Sequence, residues 1–108
     1  MKRGDLVTVA ASGGYGKPRP ALVIQSDYFD EHPSVTVLPV TSHLRDTPLF
    51  RVMVATDGDN NLRAPSQVMV DKAVTVGWEK AGTVFGSLNA EVMLEVDRSL
   101  ALFLGIAK

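Results

Sequence analysis

Short apolar runs alternate with polar, glycine- or proline-bearing stretches over the first four-fifths of the chain. LVTVA (6–10) is short and β-branched and predicts a strand. SGGYGKPRP (12–20) holds three glycines and two prolines and predicts a loop. ALVIQS (21–26) suits a buried strand, and DYFDEHPS (27–34) predicts a turn or one short helical turn. VTVLPVTS (35–42) is strand-like, but Pro39 has no N–H to donate, which points to an edge or a bulge. In LFRVMVA (49–55), Phe50, Val52 and Val54 alternate with Arg51 and Met53, the pattern of a strand with one buried face. DGDNN (57–61) is a turn. APSQVMVDKAVTVGW (64–78) predicts two short strands around Asp71 and Lys72, and TVFGSL (83–88) a last one.

The period changes after Asn89. Met93, Val96, Leu100, Phe103 and Leu104 recur at helical spacing, with Asn89 as N-cap, Glu91 in the first turn and Gly105 as the stop. The stripe predicts core packing, with a dimer contact as the alternative. Five to seven short strands and one amphipathic helix of about 15 residues give a mainly β fold, a small barrel with the helix over one open side. At 108 residues the chain is expected to form one domain over 1–108.

Composition narrows the function classes. With a net charge of −1, bulk charge gives no reason to expect a nucleic-acid or membrane partner, so any such contact needs a local basic patch. The absence of cysteine excludes disulfides and thiolate metal sites and fits a reducing cytosol. MKRGDLVTV lacks the apolar run of a signal peptide, and no stretch reaches a membrane span. Two isolated histidines, His32 and His43, and scattered carboxylates show no ligand spacing, so no metal or cofactor is expected.

An ordered set of motifs then carries a resemblance. RGD-x-V near the start, a loop ending in RPALVI, a strand ending in VLPVTS, the later SQVMVDKAVTV and a helix ending near FLGIA resemble the MazF/PemK (Kid-like) toxins, from Arg3 to about Ala107. The resemblance implies an SH3-like β-barrel of the MazF/PemK/CcdB type and a homodimer in the bacterial cytoplasm. It implies a metal-independent endoribonuclease acting on single-stranded RNA, and a cognate antitoxin whose acidic tail occupies the RNA groove.

Such cleavage lets a 2′-OH attack its own phosphorus. It needs a base, an acid and something to hold the added negative charge. Arg19 suits the last task. Its guanidinium fork matches phosphate, and Pro18 and Pro20 restrict its backbone. A guanidinium holds its proton tightly, so it is better suited to hold charge than to donate a proton. Thr41 and Ser42 end a strand and can donate to phosphate oxygens, with Thr41 the better candidate as a phosphate-positioning partner of Arg19. Asp71 can act as base or orient an arginine. The expected catalytic set is Arg19, Thr41 and Asp71. The expected RNA contacts are Tyr15, Lys17, Ser42, His43, Gln67 and Lys72, with Arg45 adding charge. Tyr15, on a glycine-rich flap, is the better base-stacking candidate, because Phe50 falls in the alternating strand and is expected in the core.

The chain also departs from the resemblance. Lys72 stands where the family usually has Gln, and Val74 where it has Arg. Some relatives carry a His-Glu pair in the first loop, but this chain has Gly13, Gly14 and Tyr15 there, which shifts proton transfer to Asp71 or His43. Two other readings compete: a gyrase poison of the CcdB type, and an SH3-like binding module without catalysis. The first uses a helix end with Trp-Gly-Ile, whereas this chain has Leu104-Gly105-Ile106. Trp78 in VGWEKAG is expected to anchor either the core or the antitoxin.

Overall fold

A computed structural model of the chain describes residues 1–10 and 17–107. The expected glycine flap, with Tyr15, lies outside them. The described elements are β1 (Asp5–Val9), β2 (Arg19–Val23), β3 (Ser34–Thr41), β4 (Arg51–Val54), β5 (Ser66–Met69), β6 (Val74–Gly77), β7 (Ala81–Ser87) and α1 (Ala90–Phe103). Short 3-10 turns occupy Asp27–Phe29, Val70–Lys72 and Trp78–Lys80.

All pairings are antiparallel, in the order β4-β5-β3-β2-β1-β7, with β6 also on β3. β3 is the hub. One of its edges pairs with β2, from Ala21↔Pro39 to Val23↔Val37. The other is shared between β6 (Ser34↔Gly77 to Val37↔Val74) and β5 (Val40↔Val68, Thr41↔Gln67). Pro39 is therefore not on an edge strand. It sits with Leu38 in the gap between two partners, where a missing N–H removes no ladder bond on that side.

The two-residue period of the strands divides the apolar side chains between two clusters. Leu6, Leu22, Leu38, Val40, Val52 and Val68 pack beneath α1 with Val96. Val7, Ala21, Val23, Val35 and Val37 form the second cluster, joined by Val9, Val76 and Trp78. Trp78 anchors this side of the fold, and its indole N–H donates to the His32 carbonyl.

The barrel is not closed, because the outermost strands β4 and β7 do not pair with each other. The turn after β4 bridges the opening instead. The Ser87 N–H donates to the Asp59 carbonyl at 3.0 Å, and the Asn61 amide to the Phe85 carbonyl at 2.7 Å. Asn60 holds that turn from inside. It is fully buried, its Oδ1 accepts from the Asp57 and Leu62 amides, and its Nδ2 donates to the Ala55 carbonyl at 2.9 Å. Gly86 runs against this backbone, and a Cβ there would strike the Asn60 carbonyl.

α1 begins as expected, with the Asn89 side chain accepting from the Val92 amide at 2.9 Å, and ends at Gly105 (φ +76). Val96 is fully buried, and Met93 and Leu100 pack against the core. Phe103 and Leu104 depart from the expectation, being 51% and 56% exposed. Phe103 shares Val96's face of the helix two turns later, beyond the surface which that face covers. Phe50 also differs. It precedes β4 and is half-buried rather than part of the core.

Asn60→Ala leaves several polar groups without partners and should lower stability by about 2–4 kcal/mol. Urea denaturation should show the midpoint falling at unchanged slope.

Candidate functional site

The site begins where a ladder stops. Arg19 is not in a loop. It is the first residue of β2, paired with Val9, with Pro20 opposite Thr8. On the β3 side the described pairing ends at Ala21↔Pro39. Pro20, the next residue of β2, has no N–H with which to extend it. A cavity of about 400 Å³ opens there, lined by Arg19, Pro20, Pro39, Val74, Val76 and Lys80 among others. Its floor is largely apolar, and both of its charged residues are cations. Lys80 was not singled out from the sequence. Its backbone is anchored, its carbonyl accepting from the Ala10 amide at 3.0 Å. Lys17, two residues before Arg19, is exposed.

Continued by two residues, the β2–β3 register sets Arg19 opposite Thr41, and the alternation puts both on the same sheet face. Thr41 is half-buried, and its Oγ1 accepts from the His43 amide at 3.0 Å. The hydroxyl proton remains available for an outside acceptor. Ser42 and His43 follow, both exposed.

Gln67 does not present its amide to solvent as an RNA contact would require. It is 5% exposed, and its side chain is spent on protein partners. Oε1 accepts from the Arg45 amide at 2.9 Å and from Arg51 Nη1 at 3.1 Å, while Nε2 donates to the Arg45 carbonyl at 2.8 Å. The sequence could not distinguish a reading amide from a bracing one. Gln67 holds the segment after Thr41, and with it Ser42, His43 and Arg45, against β5.

Arg51 completes the brace and was missed as a site residue. Nη1 donates to the His43 carbonyl at 3.1 Å as well as to Gln67, and Nη2 reaches Met69 Sδ at 3.5 Å. The pairs Thr41↔Gln67, Met53↔Gln67 and Arg51↔Met69 place Arg51 on the same face as Thr41. The available signal was its place in RVMV, as the polar alternate of a half-buried strand.

Asp71 lies in the turn Val70–Lys72, which carries the chain from β5 to β6 past the Leu38–Pro39 gap in β3. Oδ2 is 4.0 Å from Lys72 Nζ, and the side chain is 24% exposed. Oδ1 is buried without a hydrogen-bond partner among the described residues, an arrangement that native folds rarely keep. Asp71 and Thr41 do not line the Arg19 cavity; they flank the same stretch of β3. Among the described residues, no group of three or more His, Asp or Glu could hold a metal ion. No helix is long and apolar enough to cross a membrane.

Comparison with known proteins places this geometry in a family context. The family model for the PemK-like, MazF-like toxin of type II toxin–antitoxin systems matches residues 2–104. The chain is 44% identical over 108 residues to a probable endoribonuclease MazF of Mycolicibacterium smegmatis, covering 99% of each. Among solved structures, an endoribonuclease in complex with its cognate antitoxin from a Mycobacterial species has a TM-score of 0.80 at 24% identity, over 100% of this chain and 98% of that one. A MazE-MazF complex from Deinococcus radiodurans has a TM-score of 0.78 at 27% identity, over 99% and 97%.

Gln67→Ala should free the segment after Thr41. Stability should fall by about 1–3 kcal/mol, and hydrogen exchange at the Arg45 amide should accelerate at least about tenfold.

Proposed function

The chain belongs to the PemK-like, MazF-like toxin family, and on that premise we propose that it is an endoribonuclease toxin neutralised by a cognate antitoxin. The single observation that carries the reading is the 44% identity, over essentially the whole of both chains, to a probable endoribonuclease. The site's chemistry is compatible with it. RNA of no fixed structure is the substrate, cleaved without a metal by attack of a 2′-OH. The toxin acts in the bacterial cytoplasm as a homodimer, and the antitoxin's acidic tail competes with RNA for the cations around Arg19.

In this proposal Arg19 holds the charge that builds up on the phosphorus oxygens. Arg19 is exposed and lines the cavity, where a phosphate can reach it. Thr41 donates its unspent hydroxyl proton to the same phosphate. Asp71 takes the 2′ proton, and His43, pinned beside Thr41 through its backbone, returns one to the leaving 5′ oxygen. Lys17, Lys72, Ser42 and Tyr15 contact the flanking RNA, and Lys80 joins them from the cavity wall. The gyrase-poison reading is not favoured, since the relatives above are endoribonucleases and the chain lacks the Trp of that helix-end signature.

The test is cleavage of a single-stranded RNA pool with EDTA present. Wild type should cleave at a short recurrent sequence, read from the 5′ ends of the products. Arg19→Ala should lower kcat by about 10²–10³-fold. Asp71→Asn and His43→Gln should each lower kcat by about 10²-fold or more. An inert wild type would overturn the endoribonuclease reading. Full activity in Arg19→Ala would overturn the site alone.

A further inference from the structure

Of the cations on the face that carries Thr41, Arg51 is the one whose ordering is explained by the protein but whose charge is not. Its guanidinium is held by a backbone carbonyl, a neutral amide oxygen and a thioether sulfur. None of these is a carboxylate. The ion pairs among the described residues are Arg3–Asp97 and Lys72–Asp71, and Arg51 belongs to neither. Glu95 of α1 lines the same surface cavity but makes no ion pair with Arg51, and a half-buried guanidinium has lost part of its hydration, so a charge without a direct counter-ion there is costly unless an anion arrives.

The donor count points the same way. A guanidinium carries five N–H groups. Both protons of Nη1 are used, and one of Nη2 lies against sulfur, a weak acceptor. The Nε proton and the second Nη2 proton have no acceptor among the described residues. The side chain is therefore braced on one side and holds unused donors in a fixed fork, the geometry that suits a phosphate.

Position supplies the last element. From β2 to β4 the face crosses β3 and β5, and the register sets Arg51 two residues along from the level of Arg19, so the two stand about 16 Å apart along the sheet. Thr41 and the braced segment after it lie between them.

We propose that Arg51 is a second phosphate-binding residue of the RNA groove, gripping the backbone on the far side of Thr41 from Arg19. This rests on the endoribonuclease reading. Arg51 takes no part in bond breaking. It fixes the strand so that the scissile phosphate falls at Arg19, and Gln67 is its positioning residue.

The experiment is binding of a random-sequence, fully 2′-O-methylated single-stranded RNA pool, which cannot be cleaved, measured by fluorescence anisotropy across a salt series. Cleavage of the unmodified pool runs in parallel. Arg51→Gln should weaken binding about tenfold and reduce the slope of log K against log[salt] by about 0.7, one phosphate contact on a single strand. KM for cleavage should rise with kcat little changed. Arg51→Lys should restore the slope, because it restores the charge. A purely structural brace would leave Arg51→Lys as impaired as Arg51→Gln, since a lysine cannot span both the His43 carbonyl and Gln67, and that result overturns the proposal. So does an Arg51→Gln variant with the wild-type slope, or one whose cut-site sequence alone changes, which would make Arg51 a base reader. In each of these cases wild type still cleaves and the endoribonuclease reading stands. A wild type that neither binds nor cuts RNA overturns both.

Discussion

The site depends on the place where the β2–β3 ladder runs out. A proline cannot donate to a sheet, and Pro20 stands where this ladder would next need an N–H from β2, while Pro39 has its missing N–H on the other side of β3, in the gap between β5 and β6. Past Ala21↔Pro39 no further β2–β3 pair is described, and a cavity opens with Arg19 in its lining. β1 still holds Arg19 through Val9, so the residue is fixed on one side and free on the other. Elsewhere a gap in a sheet would be a defect. Here it leaves a cavity that Arg19 lines together with Lys80.

That gap is tolerable because β3 is secured on both sides of it. β2 and β6 grip its first half, and β5 grips its end. The turn carrying Asp71 passes the two unpaired residues between them. The incomplete barrel follows the same logic. β4 and β7 are left unpaired with each other, and the Asn60 turn makes the remaining bonds from a fully buried amide. Polar contacts at turns, rather than a last strand pair, close the fold.

The strands and the helix were legible because their periods are unambiguous. Val52 and Val54 alternate with Arg51 and Met53 in sequence and in space, and Asn89 and Gly105 bound the helix as their chemistry requires. What was not legible depended on partners distant in sequence. Pro39 alone suggests an edge, and only the knowledge that β5 and β6 share one side of β3 makes it the residue between them. Phe103 obeys the helical period, yet where the covered surface ends is a tertiary fact. Arg19 and Thr41 could be chosen from their types and from the family resemblance. Gln67 could not be read as a brace, because its role is fixed by the Arg45 backbone and by Arg51, 22 and 16 residues away.

Arg51 and Thr41 share one principle of construction, which reconciles a chain of net charge −1 with a polyanionic substrate. Both are oriented by neutral groups: Thr41 by an amide, Arg51 by a carbonyl, an amide oxygen and a sulfur. A carboxylate would order a guanidinium more strongly, but it would also cancel the charge, and a phosphate would then have to displace it. Neutral acceptors orient without neutralising. The cost is a charge that is partly dehydrated and unpaired, and it is met when the anion binds rather than when the chain folds. An acidic antitoxin segment would meet the same cost in the same place, so one arrangement serves both a substrate and its competitor. The balance of charge over the whole chain therefore says little about the groove. What matters is that the acidic residues are kept out of hydrogen-bonding range of these cations.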